Sequence, residues 1–568
     1  MSSPPHTNPT PWAETDERRA QLSLALAMIA FALGTGLGLG QLGVVTFDGL
    51  LEYIRDARVL SEQGLGAYRH AVHPIGYPSL LAALRHATPS LFAASRLASW
   101  IAGLAVLPLY TLLVRRALGP RAAAWAPWLA IAGSALVAHT LEPSSTLPAA
   151  ALQLASIVTL AENPERRSRL VAAGILVGLA WLVRYPSILV FGATATWLVI
   201  RGWREPRRLL ADLAAYTVPF VCVASPQWVL NLSHGLDPFI ADNAGYILRA
   251  ERGHFAHDQT IVSMLLLEGG RAARFWAKNL SLFVLFNAPL LAAMAWLWRA
   301  RRTTTLGYLG TVVVLQQLVL ALTNFNPKFY LLDRWLLLAF LLGALGALAP
   351  RLRAAWSPRD AAPGRAGRAA RVLVAGLAAA ALAPALAAYL VFRVIEIHSL
   401  LGVDEIGETH RALTQSLYDR GYRGSSEILG CSNVHYDLRL LDRDEVAYYR
   451  DAAVGLPEIP RFASPAAFVD FLHEHGFRFV LYDEEDRGPC PDLGFLFVPE
   501  RLPATLEPVW IDDFYNQTDR VALYAVSDGP SPATLTDAEK RARWQRVRRP
   551  SLKGVLDDWA RRSAGEIR

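Results

Sequence analysis

Charge is in short supply in this sequence. Only 18% of its residues are Asp, Glu, Lys or Arg, against about 25% in an ordinary soluble domain. The deficit is uneven: long windows carry no charge at all, while the last third is ordinary. That distribution excludes a single soluble globule. Cysteine is scarce too, with three in 568 residues, and no zinc-ligand spacing is present. The sequence also lacks a Walker A loop and a nucleophile elbow, which removes the usual nucleotide and hydrolase sites. It lacks a clear internal repeat, which weighs against a transporter built from two halves. The first apolar run is too long for a signal-peptide core and no small-residue cleavage site follows it, so it reads as a retained first span.

What fills the chain instead is apolar: 53% of it is hydrophobic. About 20 such residues cross the roughly 30 Å of bilayer hydrocarbon. Runs that qualify lie at 21–45, 93–114, 121–141, 143–161, 169–184, 186–200, 209–231, 278–298, 306–323, 330–349 and 372–394. The expected fold class is an α-helical polytopic membrane protein of about eleven helices with a small C-terminal α/β domain. The pair 169–184 and 186–200 is short and meets at Arg184-Tyr185-Pro186, so it is either two full spans or a re-entrant hairpin. The net charge of +7 does not point to nucleic acid. The arginines sit in clusters between apolar runs: Arg115, Arg116 and Arg121; Arg166, Arg167 and Arg169; Arg201, Arg204, Arg207 and Arg208; Arg299, Arg301 and Arg302; then Arg351 to Arg371. With eleven spans all of these fall on one side, together with Arg18 and Arg19. The positive-inside rule makes that side the cytoplasm and puts the C-terminal domain outside.

The expected organisation is a cytoplasmic tail over 1–20, a membrane domain over 21–395 and an extracytoplasmic α/β domain over 396–528. A basic tail, a loosely packed helix or a disordered segment, follows over 529–568. The outer loop 46–92 holds an amphipathic stretch. Leu50, Leu51, Ile54, Ala57 and Leu60 fall at helical spacing, with Glu52, Arg55, Asp56 and Glu62 away from them, as in a helix lying in the membrane interface. In the C-terminal part Ser464-Pro465 reads as a helix start and Gly476 as its end. Phe477–Asp483, Glu427–Cys431 and Val521–Ser527 read as strands. Cys431 and Cys490 share the outer domain, where an oxidising compartment would permit a disulfide, although spacing alone does not bring them together.

Two motifs have plain structural readings. GLGQLG (Gly38–Gly43) matches a dinucleotide fingerprint in letters, but no strand precedes it, and small residues in a first span serve helix packing. The His473-Glu474-His475 run belongs to a solvated helix face. Other residues carry two readings, a plain one as helix-end or turn residues and a functional one. Asp48 stands where the first apolar run ends. His73 and Tyr77 share its loop, in HPIGYPSLLAAL. Glu142 is the one charge of the second outer turn, HTLEPSSTLP. Arg184, Lys328 and Arg334 lie at or just below the outer face, on the wrong side for the positive-inside rule. Three cations and two carboxylates thus converge on one membrane face. Ionisable residues there are partnered or functional. A sugar carried on a lipid phosphate would use such a set, with a base for the acceptor hydroxyl and cations for the departing phosphate.

The order of these motifs resembles the GT-C membrane glycosyltransferases. They run VTFDGLLEYIRDARVLSEQG, HPIGYPSLLAAL, LEPSSTLP, GLAWLVRYPSILV and FYLLDRWLLLAF. The nearest branch is that of the lipid A aminoarabinose transferases, protein O-mannosyltransferases and the RgtA/B/C/D-like group. The resemblance covers roughly residues 20–395. It implies an inverting transfer from a polyprenyl-phosphate sugar donor to a lipid, glycan or protein acceptor at the bacterial inner membrane. It implies Asp48 as base or acceptor-orienting carboxylate and Glu142 as the second acidic residue. It implies Arg184, Lys328, Arg334 and His73 as donor-phosphate contacts, and Tyr53, Arg55 and Tyr77 as positioning residues of the loop. His73 departs from relatives with Lys or Arg there, and an imidazole is the weaker phosphate partner at neutral pH. Trp335 replaces the Tyr of the family's Arg-Tyr pair. No cofactor is implied with certainty. Some members use a divalent metal, which Asp48 and Glu142 would then hold. Two other readings remain, a lipid-linked sugar flippase and a non-catalytic membrane scaffold.

Overall fold

The computed structural model describes residues 11–39, 50–68, 73–89, 91–134, 136–141, 144–162, 166–233, 269–301, 303–321, 331–356, 416–417, 419–422, 427–430, 460–483, 491–515, 519–527 and 535–549. Two compact units result. One comprises 1–42, 71–80 and 95–400; the other comprises 43–70, 81–94 and 401–568.

The first unit is helical. It holds α1 (Pro11–Leu39), the first turn of α3 (Gly76–Leu84) and most of α4 (Leu91–Leu118), while α2 (Leu50–Gln63) belongs to the second unit. The first unit continues with α5 (Pro120–Ala123), α6 (Ala126–Gly133), α7 (Leu136–Leu141), α8 (Thr146–Glu162), α9 (Arg167–Val183), α10 (Ile188–Gly202) and α11 (Pro206–Ser233). After these come α12 (Gly269–Ala300), α13 (Thr304–Leu320) and α14 (Leu331–Trp356). Among the described residues four helices are long and apolar enough to cross a membrane: Glu14–Leu37, Ala93–Leu118, Pro206–Ser233 and Leu331–Pro350. A fifth crossing is available if the bent pair Trp276–Leu285 and Asn287–Ala300 counts as one. The count of eleven is therefore not confirmed. These are nonetheless the helices of a multi-pass membrane protein. Along α1 the apolar side chains of Leu22, Leu26, Ile29, Leu33 and Leu37 face outward, as a lipid-facing helix requires.

The stretch 121–141, read from hydropathy as one span, is instead three short helices. Proline near the start of α5 and of α6 restarts the chain each time. At the end of α6, Ser134 bonds back to the carbonyl of Ala130, and that local alternative competes with helix continuation. Helices α9 and α10, 17 and 15 residues long, reach only about 25 Å and about 22 Å at 1.5 Å per residue.

Helix α9 packs on α11 through Gly174 and Gly178, one turn apart. A Cβ on Gly174 would lie 2.2 Å from the Tyr216 carbonyl oxygen, and one on Gly178 would lie 2.9 Å from Val223 Cβ. This is close backbone approach through small residues, the usual device where lipid removes the hydrophobic driving force. Across the same seam Phe191 of α10 stacks on Tyr216 and Phe220, with ring centroids 5.1 and 4.2 Å apart.

The second unit contains a five-stranded sheet: β1 (Ile428–Gly430), β2 (Phe479–Asp483), β3 (Leu506–Tyr515), β4 (Asp519–Val526) and β5 (Arg548–Arg549), in the order β1-β2-β4-β3-β5. β1 pairs with β2 and β5 with β3 in parallel; β4 is antiparallel to both its neighbours. Helix α15 (Pro465–Glu474) starts where expected: the Ser464 hydroxyl accepts from the Ala467 amide at 3.2 Å. It ends before Gly476, whose φ of 69° is in the left-handed region that glycine alone enters freely. Alternation along β2 sends Val480 and Tyr482 to one core and Phe479 and Leu481 to another. A strand buried on both faces reads as an unbroken apolar run.

Of the expected basic tail, residues 535–549 are described, and they hold the helix that is one of its two readings. Helix α16 (Asp537–Val547) opens with a capping box between Thr536 and Glu539, buries Trp544 against Phe497 and Tyr524, and leads into β5. Trp544→Ala is expected to destabilise this unit by about 3–5 kcal/mol, the usual cost of deleting a buried aromatic, read as an earlier unfolding transition in urea. Helix α2 also differs in one residue. Asp56, expected on its polar face, is buried beside Tyr53 and Ala57. It lies one turn from Tyr53, whose burial widens the inward arc, and its side chain is engaged there.

Candidate functional site

The ends of the first unit's helices sort by chemistry. Arg115 at the end of α4 pairs with Glu17 at 3.0 Å, and Arg121 of α5 pairs with Asp16 at 2.6 Å, both near the start of α1. Arg167 and Arg208 both reach Asp212, at 3.6 and 3.8 Å. Arg116 donates to the Val158 carbonyl at 2.6 Å, and Thr305 to that of Ala161 at 3.2 Å. The arginine-rich connections thus gather at one end of the bundle.

The other end is buried and polar. The turn before α3 is the clearest part of it. The Ile75 amide donates to Gln227 Oε1 at 2.7 Å, and Gln227 Nε2 donates to Asn231 Oδ1 at 2.7 Å. Gly76 lies against the end of α9 so closely that a Cβ would meet the Leu182 carbonyl oxygen at 2.5 Å. Tyr77 shares a hydrogen bond with Ser95 at 2.7 Å. One helical turn along α4, Ser99 binds both the carbonyl and the amide of Ser144, at 3.3 and 3.2 Å. Two residues further, Thr146 begins α8 and its hydroxyl accepts from Arg184 Nη1. Gln153 Nε2 then donates to Ser187 Oγ at 2.8 Å. On the far side of α8, helix α14 starts with buried Asp333, Arg334 and Trp335. Gln317 donates to Asp333, and Trp335 Nε1 donates to Ser134 Oγ at 2.8 Å.

Of the residues singled out in the sequence, His73, Tyr77, Arg184 and Arg334 stand at this end, on the turn before α3, on α3 itself, after α9 and on α14. His73, Tyr77 and Arg334 are buried and Arg184 is half-buried. Tyr53 is buried on α2 in the second unit, and Arg55 is on the same helix. Asp48, Glu142, Lys328, Cys431 and Cys490 lie outside the described residues. So does most of GLGQLG. Cys222 is free and exposed. Among the described residues no group of three or more His, Cys, Asp or Glu side chains could hold a metal ion. His473 and His475 are exposed, as a solvated helix end requires.

The sequence does not single out Gln227, Asp333 or Arg96, the last a partly buried residue of α4 directly after Ser95. Arg96 meets the criterion that picked out Arg184, a cation in an apolar run away from the arginine-rich end. Asp333 adjoins Arg334 and was available on the same ground. Gln227 carried no charge signal, only its place after Pro226 inside an apolar helix.

No family model matches this chain, and no curated protein matches it in sequence. Solved structures do match. ArnT from Cupriavidus metallidurans in the apo state aligns at TM-score 0.57 and 16% identity over 90% of this chain and 100% of that one. ArnT bound to undecaprenyl phosphate aligns at 0.56 and 16% over 90% and 98%. The archaeal oligosaccharyltransferase AglB from Archaeoglobus fulgidus aligns at 14% identity over 91% and 75%, but its TM-score of 0.43 is too low to argue a shared fold. Identity of 16% speaks to architecture, and the ArnT architecture is matched nearly end to end. The chain has the fold of ArnT.

Proposed function

We propose that this protein is an inverting glycosyltransferase that moves a sugar from a polyprenyl-phosphate donor to a lipid, glycan or protein acceptor outside the membrane. The observation that carries this reading is the buried polar end of the bundle, with Arg184 and Arg334, in a fold matched over almost its whole length by a protein crystallised with undecaprenyl phosphate. In this reading the protein is a multi-pass protein of the bacterial inner membrane, with the arginine-rich end in the cytoplasm. The domain after residue 396 lies outside and helps position the acceptor. The acceptor hydroxyl gives its proton to Asp48 as its oxygen bonds to the anomeric carbon. The bond from that carbon to the phosphate oxygen breaks, and polyprenyl phosphate departs with the electron pair. Arg184, Arg334, Lys328 and His73 surround the phosphate, and guanidinium groups suit it because they bind its oxygens in pairs. Glu142, Tyr53, Arg55 and Tyr77 orient the acceptor and its loop. If a divalent ion takes part, Asp48 and Glu142 are the residues that would hold it.

The test is transfer of label from undecaprenyl-phosphate sugars, by purified full-length protein, into an extract of envelope glycolipids and glycans. Label in an acceptor fraction supports the reading. Donor flipping in liposomes without transfer would replace it with a flippase. Arg184→Ala is expected to raise KM for the donor about 10- to 100-fold, the loss of one charge-assisted hydrogen bond to phosphate, with KM for the acceptor near wild type.

A further inference from the structure

Near the end of α11 the sequence reads Ser225-Pro226-Gln227-Trp228. Pro226 has no amide to offer the Cys222 carbonyl, and a helix with such a gap bends there. Ser225 Oγ donates to that carbonyl at 2.9 Å instead, so the carbonyl is satisfied. Beyond it Gln227 is fully buried. Its amide is used at both ends: the oxygen accepts from the Ile75 amide and the nitrogen donates to Asn231, each at 2.7 Å. A glutamine whose oxygen is committed to a backbone 152 residues away holds that backbone. Nothing in a membrane helix requires a buried amide, and an unmet one is costly in an apolar setting. The turn it grips carries His73. The next residue, Gly76, lies on the Leu182 carbonyl, two positions before Arg184.

We infer that Gln227 is a positioning residue for the donor phosphate, which fixes the turn 73–76 and, through Gly76, the end of α9. This rests on the function proposed above. His73 and Arg184 come from segments more than a hundred residues apart, and the Gln227 bond and the Gly76 contact give them one common frame. Misplacement by about 1 Å at a reacting centre can cost about 100-fold in rate, so a clamp of this kind has a measurable consequence although it touches no substrate.

The variants are Gln227→Met, which keeps the volume and deletes both hydrogen bonds, and Gln227→Glu. In the latter a carboxylate oxygen still accepts from Ile75, and Asn231 can turn its amide to donate to the other. Undecaprenyl phosphate is the binding probe. It is read as radiolabelled undecaprenyl phosphate retained by the purified protein. Gln227→Met is expected to weaken undecaprenyl phosphate binding and raise donor KM by at least about tenfold, the equivalent of one hydrogen bond to a charged group, with KM for the acceptor unchanged. Gln227→Glu is expected to recover most of that loss. A merely structural role would lower the unfolding midpoint and the active fraction of both variants and leave donor KM alone, and that result overturns the inference. So does wild-type binding in Gln227→Met. If the wild type neither binds undecaprenyl phosphate nor transfers sugar, the proposed function fails first and the inference with it. If the wild type does both and Gln227→Met matches it, the inference fails alone.

Discussion

Asp48→Asn is expected to lower kcat for sugar transfer by about 10²- to 10⁴-fold, the range general-base catalysis contributes, while donor KM stays near wild type. Asparagine keeps the shape of the side chain and can still orient a hydroxyl, but it cannot take a proton. The acceptor oxygen would then have to attack while still protonated. Arg184→Ala should show the opposite split, with donor KM raised and kcat less affected. The pair of variants therefore separates the acceptor side of the reaction from the donor side. The measurement is steady-state transfer of labelled sugar by variants of matched monodispersity in detergent. An unchanged kcat in Asp48→Asn would remove Asp48 from the base role. Should Glu142→Gln then lose activity, the base would be the carboxylate of the second outer turn.

The sequence makes some of this architecture visible for plain reasons. Arg184 and Arg334 stand out because a cation in an apolar run is costly unless partnered, and because the arginine clusters between apolar runs gather at the opposite end. The strand at Phe479–Asp483 stands out because an apolar run begins just after a glycine that stops a helix. Hydropathy is blind to other features. It adds up residues and takes no account of the prolines that restart α5 and α6, or of the serine that turns back on α6, so it joins 121–141 into one span. Helix α16 has a hydrophilic composition with one buried tryptophan, so the sequence leaves helix and disorder both open there. The capping box at Thr536 and Glu539 was the signal available there. The polar end of the bundle is least legible where it is uncharged. Ser95, Ser99 and Gln227 interrupt no apolar run, and only the fold shows that they meet other segments.

That dependence on fold makes the seam between α9 and α11 the most sensitive place away from the proposed chemistry. Gly174→Leu is expected to unseat the two helices and leave little folded protein. A Cβ alone would lie 2.2 Å from the Tyr216 carbonyl oxygen, backbone that cannot rotate away as a side chain would. Overpacking costs about 1–3 kcal/mol even where neighbours can shift, and here a whole helix must move. Gly174→Ala already forces part of that shift, so the two variants should fall in order. Gly192 on α10 is the control, since a Cβ there meets nothing within 4 Å. Gly192→Ala should hold or raise stability, because alanine is favoured over glycine in a helix by about 1 kcal/mol. Thermal unfolding of the detergent-solubilised chain, read with the monodisperse fraction, makes the comparison. If Gly174→Leu unfolded at the wild-type midpoint, the seam would not be the close backbone contact described. If Gly174→Ala remained folded yet lost donor binding, the seam would be shown to place Arg184, because α9 ends one residue before it.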